Sequence, residues 1–290
     1  MSKILVLGGT RFLGRHFVEA ALVRGHAVTL FNRGQTAPTA FAQAQVETII
    51  GDRELDLGAL TERTWDAVFD TSAYAAATAR KSAEALRGRV GAYAFISTIS
   101  AYADSKTANY DEHYPLATMS DDDAAKITKN ADVAANLQFY GPQKVSCERE
   151  ITRVFGDRVL LIRAGLLIGP HDSSDRFTYW VRRVRQGGEM LVPDTLDQRW
   201  QLIDARDLAA WALTMIESEQ GGVFNVTGEQ IAMGDILDAC QRASAPAAAM
   251  HNSCVSVSSS SPIRRLASGK ACRCGCRPIL STMLASGRAT

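Results

Sequence analysis

The sequence predicts an α/β protein, a doubly wound parallel sheet covered by helices, followed by a smaller C-terminal substrate lobe. Three observations carry this reading. Short apolar runs alternate with amphipathic stretches of helical period from the first residues onward. The runs are apolar on both faces, as in a parallel sheet buried between helices. The first run ends in a glycine-rich turn that opens a helix. A chain of 290 residues, 46% hydrophobic and 22% charged, is long enough for a sizeable core. Those fractions exclude wholesale disorder, a collagen-like chain and a multi-span membrane protein.

Taken in order, residues 4–7 are the first strand, and Phe12, Leu13, Phe17, Val18, Ala21 and Leu22 recur at helical spacing after it. Strands follow at residues 28–31, 46–50, 67–69, 92–96 and 159–162, with helices at about 77–87 and 142–155. The apolar run at the start is far too short for a signal peptide, so the chain reads as cytoplasmic. Beyond the sixth strand, residues 177–186 read as a helix. Asp207 is the expected N-cap of the next helix, residues 223–226 form a late strand, and residues 234–243 a last helix. Asp121-Asp122-Asp123 after Ser120 reads as a capped, solvated helix start.

In an open parallel sheet, ligands bind beyond the carboxyl ends of the strands. The first such end reads Gly8-Gly9-Thr10-Arg11-Phe12-Leu13-Gly14. Glycine there permits the tight turn and close approach of a pyrophosphate, and the helix N-terminus presents free N–H groups to it. This Rossmann-type arrangement predicts a nicotinamide dinucleotide. The second strand ends in Asn32 and Arg33 where an NAD-specific chain would carry an acid, so NADP is favoured, with NAD as the alternative. Arg33, and Arg11 with it, could meet a 2′-phosphate; a surface arginine is the other reading of Arg33. Asp52 is placed to bind adenine, and Asp70-Thr71-Ser72-Ala73 to run under the cofactor, with Thr71 and Ala73 touching it.

The fifth strand ends in Ser97-Thr98-Ile99-Ser100-Ala101-Tyr102, and Tyr140-Gly141-Pro142-Gln143-Lys144 opens a later helix. Pro142 fits a first helical turn, and i, i+4 spacing puts Tyr140 and Lys144 on one face. A free tyrosine, with a pKa of about 10, is a poor neutral-pH catalyst. A neighbouring ammonium and a cationic nicotinamide favour its phenolate, which can then exchange a proton with a substrate oxygen. Tyr-x-x-x-Lys alone recurs by chance; together with the glycine turn and the hydroxyl pair Ser97 and Thr98, it points to oxidoreductase chemistry.

Residues 3–243 resemble an extended short-chain dehydrogenase/reductase of the NAD-dependent epimerase/dehydratase kind. The likeness rests on Gly8–Gly14, Ser97–Tyr102 and Tyr140–Lys144. It implies Thr98, Tyr140 and Lys144 as the catalytic set, with Lys144 and Ser97 also facing the cofactor. It implies a small-molecule substrate, a nucleotide sugar among the candidates, no metal, no membrane, and a homodimer built on helices. The domains expected are a dinucleotide-binding domain at 1–163, a substrate lobe at 164–243 with some elements interleaved, and an anomalous tail at 244–290. Two departures stand out: Arg11 replaces the usual middle glycine, and Ala164 follows Arg163 where the family often has proline. The Gly-Gly-Thr-Arg-Phe-Leu-Gly form is similar to a branch that includes chloroplast stem-loop RNA-binding proteins. An RNA-associated protein and a non-catalytic cofactor sensor are therefore the competing readings. Arg206 either contacts an anionic substrate or pairs with Asp204, and His171 reads as a loop histidine.

Charge is distributed unevenly. Seven of the 32 basic side chains and none of the 31 acidic ones follow Asp238, so residues 1–238 carry 25 against 31, a net of −6. That acidic body argues against nucleic acid as a partner. Four of the six cysteines, Cys254, Cys272, Cys274 and Cys276, share the tail with the serine run at 258–261. Their spacing suits no zinc knuckle. The composition instead predicts translation in a shifted reading frame beginning near residues 243–247; a tail in the true frame is expected to be disordered. Back-translation of residues 268–278, read one frame over, permits Gly-Lys-Gly-Met-Pro-Leu-Trp-Leu-Pro-Pro, which resembles a C-terminal segment of the same branch. Sequencing the gene checks this: the alternative frame should encode that segment downstream of an Asp-Pro pair. A coding strand that cannot do so removes the idea.

Overall fold

The computed structural model describes residues 1–35, 41, 46–104, 109–192 and 195–244, with the backbone of Val255–Val257 and Arg264–Ser268. The strands are β1 (Lys3–Leu7), β2 (Ala27–Asn32), β3 (Glu47–Ile50), β4 (Trp65–Asp70), β5 (Val90–Thr98), β6 (Val159–Ala164), β7 (Leu166–Ile168), β8 (Met190–Val192), β9 (Arg199–Asp204), β10 (Gly222–Val226), β11 (Gln230–Ala232), β12 (Val255–Val257) and β13 (Arg264–Ser268). The helices are α1 (Phe12–Val23), α2 (Gly58–Thr61), α3 (Ala76–Ala85), α4 (Asp121–Lys126), α5 (Asn130–Ala135), α6 (Tyr140–Phe155), α7 (Thr178–Gln186), α8 (Ala205–Glu217) and α9 (Met233–Ser244).

Two compact units result, one of residues 1–167 with 205–227, the other of 168–204 with 228–290. The first holds a seven-stranded parallel sheet ordered β10-β6-β5-β4-β1-β2-β3, so the predicted doubly wound sheet is present. The order reverses between β1 and β4, where Leu7 pairs with Asp70. Ligand crevices of open sheets form at such a switch point. Ile4, Leu5, Val6 and Leu7 are wholly buried, as expected for a central strand with helices on both faces. Phe17 of α1 stacks on Phe69 of β4 at 3.7 Å between ring centroids, pinning the first helix over the switch point. α8 packs beside α1, where Glu217 receives Arg24 Nη1 at 2.6 Å and lies 2.8 Å from His26 Nε2.

Several boundaries differ from those the periodicity predicts. β5 runs on through Ser97 and Thr98, which pair with Arg163 and Ala164 of β6. Polar residues continue the strand because their side chains find buried partners. α6 begins at Tyr140, making Pro142 its third residue, where a missing N–H costs no helical hydrogen bond. Asp207 is not the N-cap expected from the sequence. α8 starts at Ala205 directly after β9, leaving Asp207 inside the first turn, where its charge still meets the positive helix end. Ser120 does cap α4, its hydroxyl accepting from Asp123 N.

In the second unit β9 and β11 pair antiparallel. β13 pairs with β12 on one side and β8 on the other. Of the tail expected to be anomalous, those two strands are described; the rest lies outside the described residues. No helix among the described residues is long and apolar enough to cross a membrane.

The Phe17–Phe69 stack yields a stability prediction. Phe17→Ala should lower the unfolding free energy by about 3–5 kcal/mol, read from the denaturant midpoint at unchanged slope.

Candidate active site

The glycine turn is shaped by what surrounds it. Gly8 and Gly9 adopt φ of 108° and 91°. A Cβ at Gly8 would lie 2.5 Å from Thr71 Oγ1, and one at Gly14 would lie 2.8 Å from Gly9 Cα. Side chains at these positions would close the approach that the turn keeps open. α1 has no side-chain cap and no acid in its first turn, so its leading N–H groups suit an anion. Thr10 is half-buried and Arg11 exposed, while Leu13 is 5% exposed and packs inward, leaving only its backbone for a ligand. Phe12, with φ of 34°, holds a conformation that L-residues rarely adopt, a cost of about 1–3 kcal/mol stored in the turn.

Along the neighbouring strand ends, Gly51 N donates to Asn32 O at 2.9 Å and brings the ends of β2 and β3 together. Asn32 Oδ1 accepts from Gly34 N at 2.7 Å, whereas its Nδ2 is buried without a hydrogen-bond partner. Arg33 is exposed beside it. Asp52 accepts from Glu54 N at 2.9 Å. An open turn, an uncapped helix and an orphaned amide along one row of strand ends fit a dinucleotide.

One close packing joins the end of β5, which carries Thr98, to the start of α6, which carries Tyr140 and Lys144. α6 approaches the end of β5 so tightly that a Cβ on Gly141 would lie 2.0 Å from Ser100 O. Thr98 is 7% exposed, and its hydroxyl accepts from Ser100 N at 3.1 Å, which leaves its own proton free to be donated. Lys144 is 2% exposed; its Nζ donates to Ala73 O at 2.9 Å and to Ile96 O at 2.6 Å. The ammonium also sits 4.2 Å from the Phe95 ring centroid and 5.1 Å from that of Tyr74. Burial pulls the lysine down to about 8, against the opposing pull of Cys147, Asp70 and Glu148. The Tyr74 ring lies 6.2 Å from the half-buried Tyr140 ring, so one aromatic side chain flanks both members of the pair. Tyr140 also borders a cleft of about 470 Å³ with Ser100, Tyr102, Thr118 and Gln138.

Ser97 takes a different part from the one expected of a cofactor ligand. Only 2% exposed, it donates its hydroxyl to Glu148, which also receives Arg163 Nη2 at 2.8 Å and Nε at 3.2 Å. Thr71 and Ala73 follow β4, Thr71 Oγ1 donating to Leu7 O at 3.2 Å and Ala73 O accepting from Lys144 Nζ at 2.9 Å. Arg206 is the second residue of α8, half-buried, on a different element from the Tyr140–Lys144 helix. No group of His, Cys, Asp and Glu able to hold a metal occurs among the described residues.

Sequence reasoning missed Arg53, Tyr74, Asn130 and Gln143. Asn130 Oδ1 accepts from Tyr74 N at 2.9 Å and Ala75 N at 3.0 Å, and Gln143 Oε1 from Ala76 N at 3.0 Å. Two side chains thus stand in for the missing cap of α3. Gln143, inside the Tyr140–Lys144 motif, carried a readable signal: a polar residue on the helix face that packs inward. Asn130 carried none.

A doubly wound sheet with a glycine turn at its switch point and a Tyr-x-x-x-Lys helix pinned to a hydroxyl-bearing strand end defines an extended short-chain dehydrogenase/reductase. The profile of the NAD dependent epimerase/dehydratase family matches residues 4–227, and the chain belongs to that family of enzymes. It is 26% identical over 259 residues to the chloroplast stem-loop binding protein of 41 kDa b of Arabidopsis thaliana, covering 83% of this chain and spanning 63% of that relative's length. Its fold is similar to that of the Bordetella bronchiseptica enzyme WbmG in complex with NAD, at TM-score 0.66 and 20% identity over 83% of this chain and 77% of the other. UDP-N-acetylglucosamine 4-epimerase from Bacillus cereus is similar at TM-score 0.64 and 20% identity, covering 84% and 82% of the two chains.

The Gly141 contact is open to direct test. Gly141→Ala should cost about 1–3 kcal/mol of stability, because Ser100 O is backbone and cannot swing aside. Thermal unfolding beside the wild type measures it.

Proposed function

We propose that this chain is an NAD(P)-dependent epimerase/dehydratase or reductase that acts at a hydroxyl or carbonyl carbon of a nucleotide sugar. The observation that carries the reading is the buried Lys144 ammonium, one turn along from Tyr140 on a helix pressed against the strand end that carries Thr98. When bound, the nicotinamide supplies hydride exchange at the substrate carbon. Tyr140 passes a proton to or from the substrate oxygen. Thr98, whose hydroxyl already accepts from Ser100 N, donates to the same oxygen and orients it. Lys144 spends two of its three N–H groups on Ala73 O and Ile96 O, leaving one for a ribose hydroxyl. Gly8, Gly9, Thr10, Arg11, Phe12, Leu13 and Gly14 hold the pyrophosphate, and Asp52 the adenine.

NADP is the preferred dinucleotide in this reading. Asn32 replaces the carboxylate that would repel a 2′-phosphate, its Nδ2 is an unspent donor, and Arg33 is exposed beside it. Nucleotide sugars as substrates are supported by similarity to an epimerase of UDP-N-acetylglucosamine and by Arg206 as a candidate anion contact.

Fluorescence titration with NADPH and NADH, followed by a screen of nucleotide sugars and simple carbonyls, tests the proposal. NADPH should bind more tightly than NADH, and Arg33→Ala should narrow the gap. Tyr140→Phe should bind dinucleotide within about threefold of wild type yet lose turnover by about 10²–10⁴. Absence of any nicotinamide binding would falsify the reading. Binding without turnover in wild type and variant alike would turn it into a sensor. Dinucleotide-independent retention of a stem-loop RNA would instead favour the activity for which the Arabidopsis relative is named.

A further inference from the structure

Directly below the candidate site lies a buried ionic cluster that the proposed chemistry does not use. Arg53, from the loop after β3, reaches under the end of β4 and meets Asp70 with two parallel hydrogen bonds, Nη1 to Oδ1 and Nη2 to Oδ2, each 2.7 Å. Its remaining donors go to Ser72 Oγ at 2.8 Å and Ser82 Oγ at 2.7 Å and 3.2 Å. Asp70 is wholly buried and accepts in addition from Tyr93 Oη at 2.7 Å and Ser72 N at 2.9 Å. Burial opposes its charge, yet the guanidinium holds the carboxyl below its usual range and is itself raised, so both stay ionised.

Beyond the ion pair, Ser82 and Tyr93 take part of the cluster's bonds, and the others fall on one short turn. Ser72 is held at its N–H by Asp70, and its hydroxyl receives Arg53 and donates to Leu7 O at 3.1 Å. Ser72 O receives Asn130 Nδ2 at 2.9 Å, and Asn130 N donates to Glu54 Oε1, beside Arg53, at 2.6 Å. The next residue is Ala73, whose carbonyl receives the Lys144 ammonium. A lone buried ion pair adds little net stability and is replaceable by apolar side chains. A bidentate pair whose two partners are both bonded to the turn at Ser72 does something more specific.

We infer that Arg53 and Asp70 are positioning residues, a clamp that sets the Ala73 carbonyl under Lys144 and thereby the height of the lysine in the site. The inference rests on the reading of Lys144 as the catalytic lysine. The charged and titratable groups facing Lys144 are Asp70 from β4, Arg53 from the loop after β3, Cys147 and Glu148 from its own helix, and Tyr74 ahead of α3.

The test reads the lysine itself. Seven lysines are present, so ¹³Cε labelling leaves few resonances, and Lys144→Met assigns that of Lys144 by the signal it removes. The double variant Arg53→Met with Asp70→Asn removes both charges together, so their opposing pulls on Lys144 offset in part, and Ser72→Ala, which alters no charge, reads the clamp free of the residual pull of Asp70. If the clamp positions the carbonyl, the ammonium loses an acceptor. Its midpoint then falls by about half a unit or more, about threefold in proton affinity, and Arg53→Lys lies between double variant and wild type. Should the double variant not fold, Ser72→Ala, which cuts only the link from clamp to turn, is expected to move the midpoint the same way by less. A folded variant with an unmoved or raised midpoint overturns the inference. NADPH binding is measured in parallel: if wild type fails to bind, the proposed function fails, while the titration still decides whether the clamp exists.

Discussion

A lysine ammonium with 2% exposure is the constraint around which the first unit is arranged. Taking such a charge out of water costs several kcal/mol unless dipoles replace the lost hydration. Here two backbone carbonyls and two aromatic faces replace it, one of each from two stretches of chain: Ala73 and Tyr74 after β4, Phe95 and Ile96 in β5. Ala73 lies beyond the end of β4, and Ile96 lies one residue past the last β4–β5 pair, Asp70 with Phe95, so that ladder does not use their carbonyls. The lysine in turn is held in position by the glycine that lets α6 reach Ser100. Removing any of these leaves an ammonium that must protrude or lose its proton.

Polar side chains at three successive strand ends follow from the same requirement. β4 ends in Asp70, β5 in Ser97 and Thr98, and β6 carries Arg163, all below one-tenth exposed. Asp70 is matched by Arg53 from a loop, and Arg163 by Glu148 from α6, so each buried charge has an opposite partner within 2.8 Å. Because the two pairs are separately neutral, the field at Lys144 is that of dipoles and paired ions, not of an isolated carboxylate. Cys147, between Lys144 and Glu148 on the same helix, has its thiol pushed up to about 12 by burial, which keeps it uncharged near neutral pH.

What was legible in the sequence follows this division between local and long-range causes. The sheet, the turn at Gly8-Gly9 and the helix at Tyr140 are local patterns, a glycine where a turn needs it or apolar residues at one period, and all of them are present. Element ends were less legible wherever a tertiary partner extended or shortened them. Ser97 and Thr98 lie past the apolar run at 92–96, yet they continue β5 because Glu148 and Ser100 satisfy them. Arg53 stands one residue from the expected adenine contact Asp52 and looks like a surface arginine. Its burial depends on Asp70, seventeen positions away, and on Ser82 beyond it. Nothing local distinguishes such an arginine from an exposed one.

The same reasoning separates reaction type from substrate choice. Thr98, Tyr140 and Lys144, the glycine turn and the clamp beneath Ala73 all belong to one unit and lie on strand ends, a helix or tightly bonded turns. Groups held on regular elements keep their geometry through large sequence change, since strand register and helix spacing place them whatever the surface residues are. That accounts for a fold shared with the epimerase from Bacillus cereus at 20% identity. In the proposed function, selection of a substrate falls to exposed side chains around the cleft beside Tyr140. Thr98, Tyr140 and Lys144 are thus, in the proposed function, the part that a sheet of this kind positions by its physics, and the substrate the part it leaves to the loops.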